Sequence, residues 1–192
     1  CLATHSDVPD IHDFLLSDFL NSRALNAAIG LTREDAYDVY REYIKENING
    51  TSVVVRHENG EVVGVRLSGY EDRHGETAPY EHYSFGPILS QIAKIITKLN
   101  EGKWGLIPDD ITRLFDIKLI SVAERWRGRG IGKELLIFGL DAAREAGAGG
   151  AYAEAVSVVS QGLFAKNGYS VIREIVHEDW LDKDGKQVFV WS

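Results

Sequence analysis

Cysteine occurs once, at Cys1, and methionine does not occur at all. A single thiol excludes an internal disulfide framework and points to a reducing compartment, so a cytoplasmic protein is expected. Without methionine, Cys1 is not expected to be a natural translation start. No apolar run approaches the ~20 residues of a membrane span, and no charged segment followed by an apolar core opens the chain. Neither membrane insertion nor export is therefore expected. Basic residues are also scarce: 21 Lys and Arg stand against 29 Asp and Glu, for a net charge of −8. That sign argues against nucleic acid, whose phosphates need a basic face, and suits a cationic small molecule. His5, His12, His57 and His177 are scattered without metal-ligand spacing, so no metal is expected. Repeats and low-complexity linkers are lacking.

What remains is ordinary globular composition, with 44% hydrophobic and 26% charged residues in 192. One domain over 1–192 is expected, as a monomer or a dimer. The spacing of Ile11, Phe14, Leu15 and Phe19 predicts a helix over Asp10–Leu20, with Asp7 and Pro9 as start signals. Thr32 caps a second helix reaching about Glu46, with Ala36, Val39, Tyr40 and Tyr43 on one face. Glu58-Asn59-Gly60 joins two apolar runs, Thr51–Arg56 and Glu61–Tyr70, into a hairpin. A helix is predicted over Pro87–Leu99 and a short one over Asp109–Phe115. Ile117–Val122 reads as a strand. A helix from the following glycines to Ala146 is ended by Gly147. A strand at Ala151–Val156, a helix at Gln161–Lys166, a strand at Tyr169–Val176, a turn at Asp182-Lys183-Asp184-Gly185 and a strand at Gln187–Trp191 complete the chain. Strands that pair through hairpins and also alternate with helices imply a mixed α/β sheet.

The chemistry concentrates between the strand ending at Val122 and the next helix, in Arg125-Trp126-Arg127-Gly128-Arg129-Gly130-Ile131-Gly132-Lys133. A strand turning through glycines into a helix lets backbone approach an anion and aims unpaired helix N–H groups at it. Four cations in nine residues reinforce this. The loop is not a Walker motif, because Arg127 stands where its first glycine would be and Glu134 where its Ser or Thr would be. Nor is it a dinucleotide fingerprint, since Lys133 occupies the third glycine position.

Arg127, Gly130 and Gly132 fit Arg-x-x-Gly-x-Gly, which resembles the pyrophosphate signature of the GNAT N-acetyltransferases. Leu163-Phe164-Ala165-Lys166-Asn167-Gly168-Tyr169 resembles the family's second signature, a helix ending in Gly plus an aromatic. The element order resembles its fold over essentially the whole chain. That resemblance implies a predominantly antiparallel sheet with splayed central parallel strands and flanking helices. Wording around Leu25-Asn26, Asp116–Val122 and Ser157-Val158-Val159-Ser160 is similar to the invertebrate arylalkylamine N-acetyltransferases.

The resemblance implies acetyl-CoA as cosubstrate and a small-molecule amine as acceptor, with direct attack of the amine on the thioester. Ile120, Ser121 and Val122 would bind the pantetheine arm, and an N–H near Val122 would polarise the carbonyl. Arg127, Gly128, Arg129, Gly130, Ile131, Gly132 and Lys133 would hold the diphosphate, with Phe164 beside the cofactor. Two family positions depart from the pattern. Phe164 replaces a Tyr proposed as acid, and Arg23 replaces the Glu that insect enzymes use as base. Arginine cannot serve as a base at neutral pH. Asp18, Asp116, Glu81 and His82 are candidate replacements. Ser160 matches a serine beside the cofactor sulfur, with Ser157 three residues earlier, although capping is the commoner fate of such residues. Acetylation of a polyamine or a protein lysine, and a non-catalytic acyl-CoA-binding module, are the alternatives.

Overall fold

The computed structural model describes residues 1–20, 24–75, 83, 85–182 and 184–190. Helix α1 (Val8–Phe14) carries proline in its first turn, where the missing N–H costs nothing, and runs on through a π turn, Leu15–Phe19. The predicted stripe of Ile11, Phe14, Leu15 and Phe19 is buried throughout. Helix α2 (Ala24–Ala28) is followed by α3 (Arg33–Asn47). Thr32 caps α3 as expected: its Oγ1 accepts the Asp35 N–H at 3.2 Å, while the Asp35 carboxylate accepts the Thr32 N–H at 3.1 Å.

The hairpin of β1 (Val53–Arg56) and β2 (Val62–Asp72) turns on Gly60, whose φ of +90° is reached without strain only by glycine. After α4 (Pro87–Asn100) come β3 (Arg113–Val122), α5 (Ile131–Ile137), α6 (Leu140–Glu145), β4 (Gly150–Ala153) and α7 (Val158–Lys166). The sheet order is β1-β2-β3-β4, with two antiparallel pairings and a parallel β3–β4 pair. The expected mixed α/β architecture is therefore present.

Helices cover both faces. Ile11, Leu15 and Ile44 from α1 and α3 pack on Val54, Val65 and Leu67. Leu136, Ala143 and Phe164 from α5 to α7 pack with Phe115 and Ile117. The close approach of α5 to β2 depends on Gly64, where an added Cβ would stand 3.1 Å from Leu135 Cδ1 and 3.3 Å from Ile131 Cγ2.

Four expectations are corrected. Asp109–Phe115 is not a helix: Asp109 and Asp110 turn, and Arg113 already begins β3. Leu114 and Phe115 are adjacent and both buried because this central strand is covered on both faces, which removes the alternation that marks a strand. The helix after the glycine loop breaks at Gly139, with φ +75°, before resuming as α6. The break has a cause remote in sequence. Arg66, buried on β2, donates to the carbonyls of Leu135 at 2.7 Å and Phe138 at 2.6 Å and so ends α5. Tyr169–Val176 is irregular rather than a strand. Its apolar residues come as adjacent pairs, Val171-Ile172 and Ile175-Val176, so no single face is apolar. The last expected strand reduces, among the described residues, to a bridge between Leu181 and Gln187; Trp191 lies outside them. Of the expected turn at 182–185, Lys183 lies outside the described residues; on either side of it Asp182 Oδ1 accepts the N–H groups of Asp184 at 2.8 Å and Lys186 at 2.9 Å.

Candidate active site

Strands β3 and β4 pair only from Leu114–Gly150 to Ile117–Ala153, and beyond that β3 runs on to Val122 paired with β2 but not with β4. At the parting point the β2–β3 register slips between Leu67 and Ser68, leaving Lys118 unmatched. Such a bulge bends and twists its strand. The two strands splay and open a cleft of about 420 Å³.

One wall of the cleft is the free edge of β3. The Ala123 N–H is spent on Val63 O of β2 at 2.9 Å. Neighbouring N–H groups of a strand point to opposite edges, so the Val122 N–H points into the cleft. The Val122 carbonyl points the same way and accepts Arg127 Nε at 3.1 Å.

The glycine loop forms the rim. A 3-10 turn, Glu124–Trp126, leads to Gly128 and Gly130, with φ of +75° and +84°. The first bond of α5 runs from Glu134 N–H to Gly130 O at 3.1 Å, so the amides of Ile131, Gly132 and Lys133 have no acceptor within the helix. The four cations divide. Arg125 pairs with Glu61, Arg127 binds the Val122 carbonyl, Arg129 lies 4.6 Å over the Trp126 ring, and Lys133 is exposed on the cleft wall.

Ile120 to Val122, Arg127, Gly128, Gly130 to Lys133, Ser157, Ser160 and Phe164 all line this one cleft. Arg129 and Asp18 do not. The π turn directs the Asp18 carboxylate onto the Glu124 N–H at 3.2 Å, where it holds the turn leading into the loop. Arg23, Glu81 and His82 lie outside the described residues.

Ser157 and Ser160 form a capping box at the start of α7. Ser157 Oγ accepts the Ser160 N–H at 3.2 Å, Ser160 Oγ accepts the Ser157 N–H at 3.2 Å, and the two hydroxyls lie 2.9 Å apart. Replacing Ser157 with Ala is expected to lower unfolding stability by about 1 kcal/mol, read by urea denaturation, and an unchanged midpoint would discount the box. Phe164 is buried with its ring edge-on to Tyr169, 4.9 Å between centroids, and has no proton to give.

Behind the cleft lies a second cavity of about 1110 Å³ between α4, β4, α7 and residues 169–178. Ile95, Ile96 and Leu99 of α4 line it together with Tyr152, Val156 and Tyr169. Among the described residues, only Glu154 and Phe164 line both spaces. Glu154 belongs to a polar cluster that the sequence does not announce. Asn100 Nδ2 donates to Glu154 Oε1 at 2.8 Å, and Asn100 Oδ1 accepts from Lys103 Nζ at 2.9 Å and Tyr152 Oη at 3.0 Å. Lys103 pairs with Glu71 at 2.5 Å, and Lys118 with Asp116 at 3.3 Å. Asp116, a candidate base by sequence, is buried and lines neither space. Burial raises its carboxyl above the usual range, while Lys118 and Lys103 oppose the rise. The only earlier hint of Glu154 is an acid inside the apolar run Ala151–Val156.

A mixed sheet with a bulged strand, a splay beside it and a glycine loop opening a helix defines the GNAT acetyltransferase fold. The sequence agrees, since residues 92–169 match the Acetyltransferase (GNAT) family. The chain thus has the GNAT acetyltransferase fold, and enzymes of the family that residues 92–169 match use acetyl-CoA as cosubstrate. Its structure is similar to arylalkylamine N-acetyltransferase 2 from Aedes aegypti, at 23% identity and a TM-score of 0.81, covering 100% of this chain and 91% of that one. It is similar to a Drosophila melanogaster polyamine N-acetyltransferase that forms N-acetylagmatine, at 23% identity and a TM-score of 0.74, covering 97% and 90%. The C-terminal condensation domain of Ebony, solved with β-alanyl-dopamine, follows at 18% identity and 0.76, covering 97% and 89%. At these identities the likeness is one of fold. A comparison with curated proteins finds no match. Among the described residues no helix is long and apolar enough to cross a membrane.

Proposed function

We propose that this protein transfers the acetyl group of acetyl-CoA to the primary amine of a small arylalkylamine, by direct attack with both substrates bound. The observation that carries this reading is the meeting of two spaces at Glu154 and Phe164: a splayed, donor-lined cleft and a largely apolar cavity.

The cleft fits coenzyme A on its own features. The amides of Ile131, Gly132 and Lys133 and the Lys133 side chain offer donors and positive charge to a diphosphate. The free edge of β3 would pair with the amides of the pantetheine arm. Trp126, on the same wall, has a buried Nε1–H without an acceptor among the described residues. At Gly132 the space between Leu163 and Val122 would be filled by a Cβ, 3.5 Å from one and 3.9 Å from the other. Acetyl-CoA supplies an activated thioester. The chain holds its carbonyl beside the Val122 N–H, which stabilises charge developing on oxygen, and presents the amine from the adjoining cavity in attack geometry. The thiolate leaves with little help, because thiols are far more acidic than alcohols.

The cavity favours an acceptor with an apolar, ring-bearing body, since Tyr152, Phe164 and Tyr169 contribute to its wall. A polyamine acceptor is the second reading, favoured by Glu174 and Glu178 on the same wall. Free-thiol release from acetyl-CoA with a panel of amines distinguishes them. Turnover of tyramine or dopamine well above spermidine or agmatine is expected. Preference for the polyamines would reassign the acceptor, and acetyl-CoA binding without turnover of any amine would make this a binding module.

A further inference from the structure

Arg23 stands at one family position for a base and Phe164 at another for an acid, so the proton on an incoming ammonium needs a different acceptor. Any such group must reach both substrates. Of the two residues shared by cleft and cavity, Phe164 cannot take a proton and Glu154 can. Asp18 is spent on the Glu124 amide at the rim, and Asp116 is enclosed beside Lys118. Ser157 and Ser160 are spent on each other.

We propose that Glu154 is the general base of acetyl transfer, placed by the splay of β3 and β4 at the junction of the two substrate spaces. This deepens the acetyl-transfer reading and rests on it. Glu154 takes one proton from the ammonium of the acceptor. The freed lone pair forms the C–N bond, and the C–S bond breaks with its electron pair passing to sulfur. A second N–H proton, made acidic as the amide forms, passes through water to the thiolate. Glu154 then returns its proton to solvent.

The surroundings suit this work. On β3 Asp116 is paired with Lys118, and Lys103, after α4, is paired with Glu71 of β2. Asn100 of α4 donates to Glu154, Tyr152 hydrogen-bonds Asn100, and Arg173 lies on the cavity wall with its guanidinium on the Leu99 carbonyl. Among the described residues Glu154 has no cation of its own. Burial and the neighbouring Asp116 therefore push its carboxyl up to about 7, against the pull of Asn100, Lys103 and Lys118. A base near the working pH combines a useful ionised fraction with a useful proton affinity.

The test is Glu154→Gln, compared with the parent in kcat/KM against pH, in acetyl-CoA affinity, and in the side-chain carboxyl titrations of the free protein followed by carbon NMR. The parent should lose activity as pH falls through about 7, where the base becomes protonated. The variant should lose roughly 100-fold or more in kcat, within the range of general-base removal. It should also lose that acid limb, bind acetyl-CoA as before, and lack one glutamate resonance that titrates near neutrality. Glu154→Asp should restore part of the rate. Should Glu154→Gln fold poorly, Lys103→Met is the substitute: removing a cation near the base should move the limb to higher pH. A limb that stays put, or a Glu154→Gln variant within threefold of the parent rate, overturns the assignment while acetyl transfer stands. A parent that binds acetyl-CoA but acetylates no amine overturns the transfer reading, and the base assignment falls with it.

Discussion

Replacing Arg66 with Met should lower the unfolding free energy by about 3 kcal/mol. Arg66 sits on β2 between Val65 and Leu67, which face α1 and α3, so its own side chain points toward α5. There it donates to the carbonyls of Leu135, Phe138 and Thr51, the last at 2.8 Å, and to Ser68 Oγ at 3.2 Å, with its guanidinium 5.0 Å from the Phe115 ring centre. One group thus ties the end of α5, the chain entering β1 and the central strand together. Burial lowers its pKa to about 10, so it remains charged at neutral pH. Methionine matches much of the volume and removes the cost of burying a charge. It nonetheless takes the charged donor from the carbonyls of Leu135 and Phe138, each at roughly 1–3 kcal/mol, while the Thr51 carbonyl keeps the Ser68 hydroxyl at 3.0 Å. Denaturation should show a lower urea midpoint with an unchanged slope. For a chain of this size the melting temperature should fall by about 6–12 °C. Arg66→Lys should recover only part of the loss, because one ammonium cannot span the fork of acceptors. A Met variant within 1 kcal/mol of the parent, against the roughly 3 kcal/mol expected, would show that the carbonyls find other donors.

Arg66 also marks where the sequence stops being legible. The α1 stripe, the Thr32 cap, the Asn59-Gly60 turn, the strand before the glycine loop and the α7 helix all follow from spacing within a few residues, and each is present. The glycine loop was legible for the same reason, since its backbone requirement is local. What could not be read depends on partners far away in the chain. The end of α5 is set by a side chain 69 residues earlier. The hidden start of β3 reflects burial on both faces, which erases the two-residue period. Glu154 is informative only because β4 releases it at a splay where Asn100, Lys103 and Asp116 converge from other elements. In sequence it is one acid between two alanines. Ser157 and Ser160 show the opposite case: their spacing suited both a catalytic and a capping role, and the hydroxyls are found hydrogen-bonded to each other.

The two glycines of the proposed diphosphate loop should respond differently to substitution, and the contrast tests the placement of the cosubstrate. At Gly130 the backbone holds φ at +84°, and a Cβ added there would meet no atom within 4 Å, so the cost of a side chain is conformational. Gly130→Val should cost about 1–2 kcal/mol of stability, the strain of an L residue in left-handed backbone. Gly132 lies within the first turn of α5, and no left-handed angle is required of it. A methyl there would make ordinary contact with Leu163 at 3.5 Å and Val122 at 3.9 Å. In the free protein Gly132→Ala should therefore be neutral, or stabilising by up to about 1 kcal/mol through helix propensity. The space that this methyl takes is the space the proposed arm and diphosphate need. Two hydrogen bonds from amides to a charged phosphate, at roughly 1.5–3 kcal/mol each, are at risk when backbone approach is blocked. Gly132→Val should then weaken acetyl-CoA binding by about 100-fold or more while the protein stays folded, with Gly132→Ala intermediate. Titration calorimetry beside thermal melting reads both quantities on the same samples. A stable Gly132→Val protein that binds acetyl-CoA as tightly as the parent would place the diphosphate elsewhere.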